Sequence, residues 1–296
     1  MKISAIILNW NRPADTIKAA KSVLAQNYPD VHIVIWDNAS SDSSKDILEK
    51  EFGDNSRIQM IFAAQNYGVA GGRNRAVRAS DGDILFFLDS DAEIETPSAL
   101  SSVAQRMAAD PQIGALSFEI VRPDRFLMWP FARPASAWRH KEFDVARVDG
   151  CAFAVRRNAF EKAGAFAEHF SPYGAEDLHF SYKLIDGGYR ILYFPSAVAI
   201  HAFSPKGRTG IQFTMHVRNM LLIILELFPL PHVFASIAKM TVSLGRDAWA
   251  QHQKKEYLNG VWNAVCEFNM RDRIPISRKR WAYIRDIVET EKRLQE

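Results

Sequence analysis

Two carboxylates, Asp89 and Asp91, follow the apolar run 84–88 and are separated only by Ser90. Mg²⁺ and Mn²⁺ prefer oxygen ligands and usually bind through one or two protein carboxylates together with substrate phosphates. The spacing therefore indicates a site that holds a nucleoside diphosphate through a divalent cation. Because Asp and Ser are also common turn formers, a capped strand end is the alternative interpretation.

The elements that would position these carboxylates alternate between apolar, β-rich runs and helical patterns, which is typical of a parallel sheet with crossover helices. The predicted strands are 3–9, 31–36, 58–62 and 84–88, and the predicted helices are 11–26, 42–52 and 71–80. Ligands of open α/β sheets lie beyond the carboxyl ends of the strands. We therefore expect Asn9, Asp37, Asn66 and Asp89 to share one crevice.

Asp37 follows the second predicted strand, where a carboxylate can accept the imide N–H of a uracil or thymine ring. This position would favour a pyrimidine nucleotide. A role in capping the next helix is the alternative, and Ser40, Ser41 and Asp42 compete for that role.

A glycine-rich segment, 66–75, precedes the third predicted helix. Glycines permit close approach of the backbone to a ligand, and a helix N-terminus favours an anion. Arg73 can then face a diphosphate, although a glycine turn with a solvated arginine is an equally good interpretation. The segment has neither a Walker motif nor a dinucleotide-binding glycine motif.

Four motifs, in this order, resemble those of the inverting, metal-dependent glycosyltransferases of family 2, in the branch that contains rhamnosyltransferase-like enzymes. The motifs are residues 8–12, 36–42, 66–74 and 87–91, and the resemblance spans roughly residues 3–220. It implies the GT-A fold, a doubly wound, mostly parallel α/β sheet. The expected units are a GT-A domain over 1–212, with a Rossmann-like nucleotide-sugar half (1–91) and an acceptor half (92–212), and a helical C-terminal extension over 213–296.

The resemblance also implies roles for individual residues. The Asp matching Asp37 contacts the pyrimidine, and the arginine matching Arg73 lies by the nucleotide. Together with the strand-end argument, it gives as predicted nucleotide-sugar contacts Asn9, Asn11, Asp37, Asn66, Gly68, Arg73, Asp89 and Ser90.

The expected cofactor is Mn²⁺ or Mg²⁺, with Asp91, Asp89 and His201 as metal ligands. His201 follows a predicted strand, 197–200, which comes after another predicted strand at 189–194. A lone histidine in such a place is commonly an ordinary surface or core residue. Its position nevertheless matches the histidine that completes the metal site in many relatives, and neutral imidazole suits Mn²⁺.

Glu176 and Asp177 begin a predicted helix, where acidic residues usually stabilise the helix dipole. In the context of the resemblance they match a Glu-Asp motif whose aspartate removes the proton from the acceptor hydroxyl. Asp177 is therefore the expected base and Glu176 the second candidate, which would otherwise bind acceptor hydroxyls or orient the loop. Residues 149–155, a predicted strand, would lie beside the donor sugar and the acceptor.

The C-terminal third is predicted to be helical. Its apolar run 220–225 is too short to cross a bilayer, which takes about 20 residues. Lys254 and Lys255, with 278–280, lie close in sequence to tryptophans 249, 262 and 281, a pattern typical of a membrane-surface helix. Solvated basic residues around a tryptophan-containing core are the alternative.

Residues 203–210 have the composition of a mobile loop that closes over the diphosphate.

Composition bears on the partners and the cellular compartment of the protein. The 37 basic and 34 acidic residues leave a net charge of +3, too small to indicate nucleic acid as a partner. Cys151 and Cys266 both lie in apolar stretches, so we expect reduced core thiols in a cytoplasmic protein. No leader precedes the first predicted strand, so a secretory signal is not expected.

The predicted function is a single transfer of a sugar from a UDP- or dTDP-sugar to a hydroxyl of a glycan or lipid-linked saccharide. The enzyme would act in the cytoplasm. The C-terminal helices allow peripheral contact with the inner face of the membrane and pairing into a homodimer, and the sequence selects neither. Two other classes of protein are a sugar nucleotidyltransferase and a non-catalytic sugar-nucleotide or glycan-binding subunit. A sugar nucleotidyltransferase typically has a Gly-x-Gly-x-Arg loop after its first strand, where this chain has residues 9–12, and a non-catalytic binding subunit would lack acidic site residues that this chain retains.

Overall fold

A computed structural model describes residues 1–130, 139–202 and 211–295. The loop predicted to close over the diphosphate, 203–210, lies outside the described residues.

Helices and strands alternate through the first half of the chain, and helices alone form its last part. The strands are β1 Ile3–Asn9, β2 Val31–Asp37, β3 Ile58–Phe62, β4 Ile84–Leu88, β5 Ala92–Ile94, β6 Ile113–Val121, β7 Leu127–Trp129, β8 Phe143–Asp144, β9 Ala152–Arg156 and β10 Arg190–His201. The helices are α1 Pro13–Leu24, α2 Ser44–Phe52, α3 Gly68–Arg78, α4 Ala99–Ala109, α5 Arg157–Ala163, α6 Glu176–Asp186, α7 Ile211–Leu227, α8 His232–Ala250, α9 Lys254–Glu267 and α10 Arg278–Gln295.

The first four strands are parallel neighbours in the order β3-β2-β1-β4. The apolar side chains of β1, β2 and β4 are buried on both faces, as expected for strands covered by crossover helices, whereas those of the edge strand β3 are only partly buried. The register pairs Asn9 with Asp37, so the polar residues that follow these strands meet at one edge of the sheet. The predicted α/β architecture is confirmed.

The second half of the sheet is mixed. Strand β9 runs antiparallel between β4 and β6, and β10 runs parallel to β6. The sequence predicted two strands over 189–200, but the structure has one long strand, β10, with a register shift between Phe194 and Val198. Pro195 lies within this shift, and because proline has no N–H to donate, the pairing with β6 is interrupted there without ending the strand.

Helix α3 begins at Gly68, three residues before the predicted start at Gly71. Gly68 has a φ of +69°, which favours glycine, and a Cβ atom there would lie 2.7 Å from the Ser171 hydroxyl. The glycine thus permits the loop before α6 to approach the N-terminus of α3.

The core beneath the strand ends is aromatic. The Phe87 and Phe153 rings stack with centroids 4.8 Å apart, and Phe166 meets Phe87 edge-on at 5.3 Å.

Cys151 is buried, as predicted, but Cys266 is exposed. The prediction for Cys266 was wrong because its apolar neighbours in α9 belong to a solvent-facing side of that helix.

Among the C-terminal helices, α7 packs against α8 and α9, whereas α10 packs on α6. Trp281 is buried, whereas Trp249 and Trp262 are largely exposed. No helix within the described ranges combines the length and hydropathy that crossing a bilayer requires.

Candidate active site at the strand ends

A cavity of about 720 Å³ opens at the carboxyl ends of β1, β2 and β4. Predicted site residues that line it are Asn9, Asn66, Gly68, Asp89, Ser90, Asp91 and His201. The other predicted residues, Asn11, Asp37, Arg73, Glu176 and Asp177, lie around the lining and do not form it. Hydrogen bonds within the protein hold both the lining residues and the surrounding ones in position.

The acidic turn 89–91 is fixed by backbone hydrogen bonds on both sides. The N–H of Asp89 donates to the carbonyl of Cys151 at 2.9 Å, and the N–H of Ala202 donates to the carbonyl of Asp91 at 2.9 Å. Strands β5 and β10 pair His201 with Ala92 in register. The sheet therefore brings His201 beside Asp91, although 110 residues separate them in sequence.

Asp91 lies between two cationic or potentially cationic groups. Arg12 Nη1 donates to Asp91 Oδ2 at 3.0 Å, and His201 Nε2 is 3.3 Å from Asp91 Oδ1. Burial lowers the pKa of His201, but the hydrogen bond to Asp91 and the charges of Asp89 and Asp149 outweigh that effect and raise it. The protein alone thus holds a charged pair at the wall of the cavity.

The donor set of this cluster fits a hard divalent cation. Donor atoms of Asp89, His201 and Cys151 lie within 4.8 Å of one another. Burial raises the pKa of the Cys151 thiol well above its usual value, so that group stays protonated and is a poor ligand. Asp89 and His201 remain from this set, and Asp91 adjoins His201 at 3.3 Å. Oxygen and imidazole donors are those that Mn²⁺ accepts.

Arg73 is buried, with 3% of its surface exposed, and its guanidinium makes three contacts. It donates to Asp89 Oδ1 at 2.8 Å and to the Gly150 carbonyl at 2.7 Å, and lies 3.4 Å from Glu176 Oε1. The aromatic core packs beneath it, with the Phe87 ring centroid 5.8 Å away. Arg73 therefore connects the acidic turn, the loop before β9 and the start of α6, and it does not line the cavity.

Asp37 is buried, with 4% exposed, and its carboxylate already accepts hydrogen bonds within the protein. Asn9 Nδ2 and Ser40 Oγ donate to Asp37 Oδ1, each at 2.6 Å, and the Ser40 N–H donates to Oδ2 at 2.9 Å. These contacts fix the loop after β2; they do not cap α2, whose N-cap residue is Ser43. Because a carboxylate accepts about four hydrogen bonds, the site retains room for one further donor.

Asparagine side chains tie the loops around the cavity together. Asn11 Oδ1 accepts from the Ser41 N–H at 2.8 Å. Asn66 Oδ1 accepts from the Gly68 N–H at 2.8 Å, at the start of α3. Asn38, which was not singled out from the sequence, donates to the Gly68 carbonyl at 2.9 Å and accepts from the Tyr67 N–H. These bonds hold the loops in place before any ligand binds.

Glu176 and Asp177 begin α6, directly after Ala175, whose φ of 65° is uncommon for a residue with a side chain. Glu176 is buried, and its Oε2 accepts from the Gly174 N–H at 3.1 Å. Burial and the neighbouring Asp177 raise the pKa of Glu176, while Arg73 opposes the rise. Asp177 is more exposed, and its carboxylate lies next to Gly150, across from Arg73.

Two residues of α7 hold the loop that leads into α6. Asn219 is fully buried, and its Nδ2 lies within hydrogen-bond distance of the carbonyls of Phe170, Tyr173 and Gly174, at 3.1, 3.1 and 2.6 Å. Arg218 donates to the His169 carbonyl at 2.8 Å. The sequence gave no sign of these carbonyl partners.

Arg12 was another residue whose contact was not predicted. It belongs to the motif 8–12 at the end of β1. A basic residue after one strand and an acidic turn after a neighbouring strand could have indicated this contact. Trp10 and Tyr67 also line the cavity, and Trp10 is partly exposed there. The site thus consists of an acidic turn and a histidine at the strand ends of a mixed α/β sheet.

The comparison with family models identifies the class. Residues 4–164 match the model of glycosyl transferase family 2, and the chain therefore belongs to this family. It is 29% identical over 181 residues to a GalNAc(5)-diNAcBac-PP-undecaprenol beta-1,3-glucosyltransferase of Campylobacter jejuni, covering 59% of this chain and 57% of that protein. It is 35% identical over 119 residues to an uncharacterised glycosyltransferase of Nostoc sp., covering 39% of this chain and 36% of that protein.

Solved structures show the same fold. TarS of S. aureus in complex with UDP-GlcNAc has a TM-score of 0.66 at 17% identity, covering 92% of this chain and 83% of that one. The mannosyltransferase PcManGT of Pyrobaculum calidifontis, solved with GDP-Man and Mn²⁺, has a TM-score of 0.62 at 19% identity, covering 92% and 77%. The chain has the GT-A fold, as its sequence predicted.

Proposed function

We propose that this chain transfers one sugar residue from a UDP- or dTDP-sugar to a hydroxyl of a glycan or lipid-linked saccharide, with inversion at the anomeric carbon. The observation that carries the proposal is the placement of Asp91 and His201, 3.3 Å apart, with Asp89 beside them in one strand-end cavity. Such a donor set can hold a divalent cation that anchors a nucleoside diphosphate, and the family supplies the reaction class.

The donor side follows from the contacts of the strand ends. Mn²⁺ or Mg²⁺ held by Asp91, Asp89 and His201 supplies positive charge that stabilises the diphosphate when it is bound. Asp37 has one acceptor position left for the imide N–H of a pyrimidine, which favours UDP or dTDP over GDP. TarS, a neighbour in fold, was solved with UDP-GlcNAc.

The acceptor side centres on Asp177. The acceptor hydroxyl oxygen bonds to the anomeric carbon as the bond from that carbon to the phosphate oxygen breaks. The electron pair of the broken bond leaves with the nucleoside diphosphate, and the hydroxyl proton passes to the Asp177 carboxylate. Glu176 is engaged with Arg73 and the Gly174 N–H, which suits a positioning role better than proton transfer.

A lipid-linked acceptor is supported by the Campylobacter jejuni relative, whose name specifies an undecaprenol diphosphate saccharide. The exposed apolar side chains at the cavity rim, Tyr173 and Ile211, suit contact with a partly apolar acceptor. The chain would then act at the cytoplasmic face of a membrane.

The test is a transfer assay with UDP- and dTDP-sugars and an undecaprenyl diphosphate-linked saccharide, comparing wild type with Asp177→Asn and Glu176→Gln. Asp177→Asn should bind donor normally and lose about 10²- to 10⁴-fold in rate, the usual contribution of a general base. Glu176→Gln should retain more activity. Normal transfer by Asp177→Asn together with loss in Glu176→Gln would move the base to Glu176, and a product that retains the anomeric configuration would refute the single displacement.

A further inference from the structure

Helices α8 and α9 carry a row of large apolar side chains that face solvent, called here the hairpin face. Each of these side chains exposes more than half of its surface. They are Phe234, Val242 and Trp249 on α8, and Leu258, Trp262 and Val265 on α9. Soluble proteins seldom leave so many large apolar groups together in water, so the hairpin face is a candidate interaction surface.

The contacts between the two helices place both rows on one side. Tyr257 packs on Gly245 and donates to the Thr241 carbonyl at 3.0 Å, and Lys254 lies over the Trp249 ring at 3.2 Å. The helices therefore run antiparallel. Because each residue turns a helix by about 100°, the exposed apolar rows then lie to the same side of the line of contact.

Charges on the two helices are sorted relative to the hairpin face. Helical spacing puts the basic residues on this face or along its border, and the acidic residues on the far sides. The basic residues are Lys239, Arg246, Lys254 and Lys255, and the acidic residues are Asp247, Glu256 and Glu267. Glu267 points toward α7, where it pairs with Arg218.

We propose that the hairpin face binds an anionic lipid surface, with Trp249 and Trp262 at the level of the headgroups and the four basic residues facing lipid phosphates. Tryptophan is enriched at membrane interfaces, and basic residues beside an apolar stripe draw a helix to anionic lipid. A second copy of the chain fits less well. Pairing the same face across a two-fold axis would bring the basic residues of both copies together.

The location of the hairpin face connects it to the active-site cavity. Helix α9 packs closely on the first turns of α7: a Cβ atom on Gly260 would lie 2.6 Å from the Thr214 carbonyl. Ile211 and Gln212, at the start of α7, line the cavity. A bilayer against the hairpin face would thus lie one helix away from the cavity. This consequence rests on the proposed function, because it presents a lipid-linked acceptor to the site.

The test is co-sedimentation of the full chain with vesicles of phosphatidylcholine alone or mixed with phosphatidylglycerol, without donor or acceptor. Wild type should sediment with the anionic vesicles. Lys254→Glu/Lys255→Glu should lower the bound fraction about tenfold or more, as should Trp249→Ala/Trp262→Ala. Lys18→Glu/Lys50→Glu, on exposed positions of α1 and α2, is the matched control with the same change in net charge and should bind as wild type does.

Failure of wild type to sediment with anionic vesicles, or equal binding by the lysine variant and wild type, would overturn the proposal. The other occupant, a second copy of the chain, is tested by measuring the oligomeric state with light scattering after gel filtration. A wild-type dimer that Trp249→Ala/Trp262→Ala converts to monomer, with vesicle binding unchanged, would assign the face to a second copy. All altered side chains are exposed, so melting temperatures should stay near that of wild type. Donor titration run in parallel tests the proposed function separately, since lipid binding here needs no donor.

Discussion

The strand-end region and the C-terminal helices use their side chains in opposite ways. Around the cavity, polar groups are bound to one another: Asp37 to Asn9 and Ser40, Asp91 to Arg12, and Asp89 to Arg73. On α8 and α9, six large apolar side chains each expose more than half of their surface. The first arrangement is preorganised for a small charged ligand, and the second is shaped for a broad surface.

Helix α7 joins the two regions. Its outer side packs on α8 and α9, and its buried Asn219 holds the carbonyls of the loop before α6. The candidate base is therefore positioned partly by the C-terminal helices. The predictions below test how far each region depends on its own contacts.

The largest effect is expected from Asp91→Asn in the strand-end region. The amide loses the charge that a divalent cation requires, and the variant should bind nucleoside diphosphate at least about 100-fold more weakly in the presence of Mn²⁺. Calorimetric titration measures this affinity. Unchanged affinity would mean that residues 89–91 only cap a strand, and Asp124→Asn, at an exposed turn, is the control that should change nothing.

The next effect concerns the connection made by α7. Asn219→Ala removes the donor to three buried or partly buried carbonyls, and we expect the free energy of unfolding to fall by about 2–4 kcal/mol. Transfer should slow while donor affinity stays near that of wild type, because the loop before α6 loses its anchor. Urea unfolding and a transfer assay measure the two changes.

Asn259→Ala, at an exposed position of α9, is the matched control and should shift stability by less than about 0.5 kcal/mol. Equal stability of the Asn219→Ala and Asn259→Ala variants would show that α7 does not hold the loop.

A pH effect is expected at Glu226, on the same helix. Burial alone would raise the pKa of Glu226, but hydrogen bonds from His169 and His179 outweigh burial and lower it from 4.5 to about 2. A carboxylate with a depressed pKa stabilises the folded state above pH 4.5, and this contribution is lost as pH falls from 4.5 toward 2. The loss should be on the order of 3 kcal/mol.

Unfolding by urea at pH 5, 4 and 3 measures this dependence in wild type and in Glu226→Gln. The stability of the variant should fall less steeply over this range. If the free energy of unfolding fell equally with pH in both proteins, Glu226 would not be the source of the pH dependence.

The smallest effect compares one thiol from each region. Cys151 is buried beside the acidic turn, and burial raises the pKa of its thiol, whereas Cys266 is exposed on α9. A thiol reagent should therefore modify Cys266 quickly in the native protein and Cys151 only after unfolding. Mass spectrometry of the labelled chain distinguishes the two, and rapid labelling of Cys151 would show that the strand-end region opens readily.

Sequence patterns anticipated the first four strands and their carboxyl-end residues because apolar runs and the polar residues that end them are local properties of the sequence. The contact of His201 with Asp91 followed only from resemblance, since the pairing of β10 with β5 depends on long-range register. The buried position of Arg73 and the hydrogen bonds of Asp37 to Asn9 and Ser40 were missed because each depends on partners from several parts of the chain.

The C-terminal helices were the least predictable part. Their sequence pattern allowed tryptophans either in a core or at a surface, and the structure divides them, with Trp281 buried and Trp249 and Trp262 exposed. The outcome depends on which sides of α8 and α9 pack on α7, and helical periodicity alone cannot select among several apolar sides.

The most direct test of the strand-end site is calorimetric titration of UDP, dTDP and GDP into the wild-type protein, each with Mn²⁺ and again with EDTA. The account predicts binding of a pyrimidine diphosphate that depends on Mn²⁺ and disappears with EDTA. Binding of none of the three, or binding that EDTA leaves unchanged, would contradict a metal-anchored nucleotide site at Asp89, Asp91 and His201.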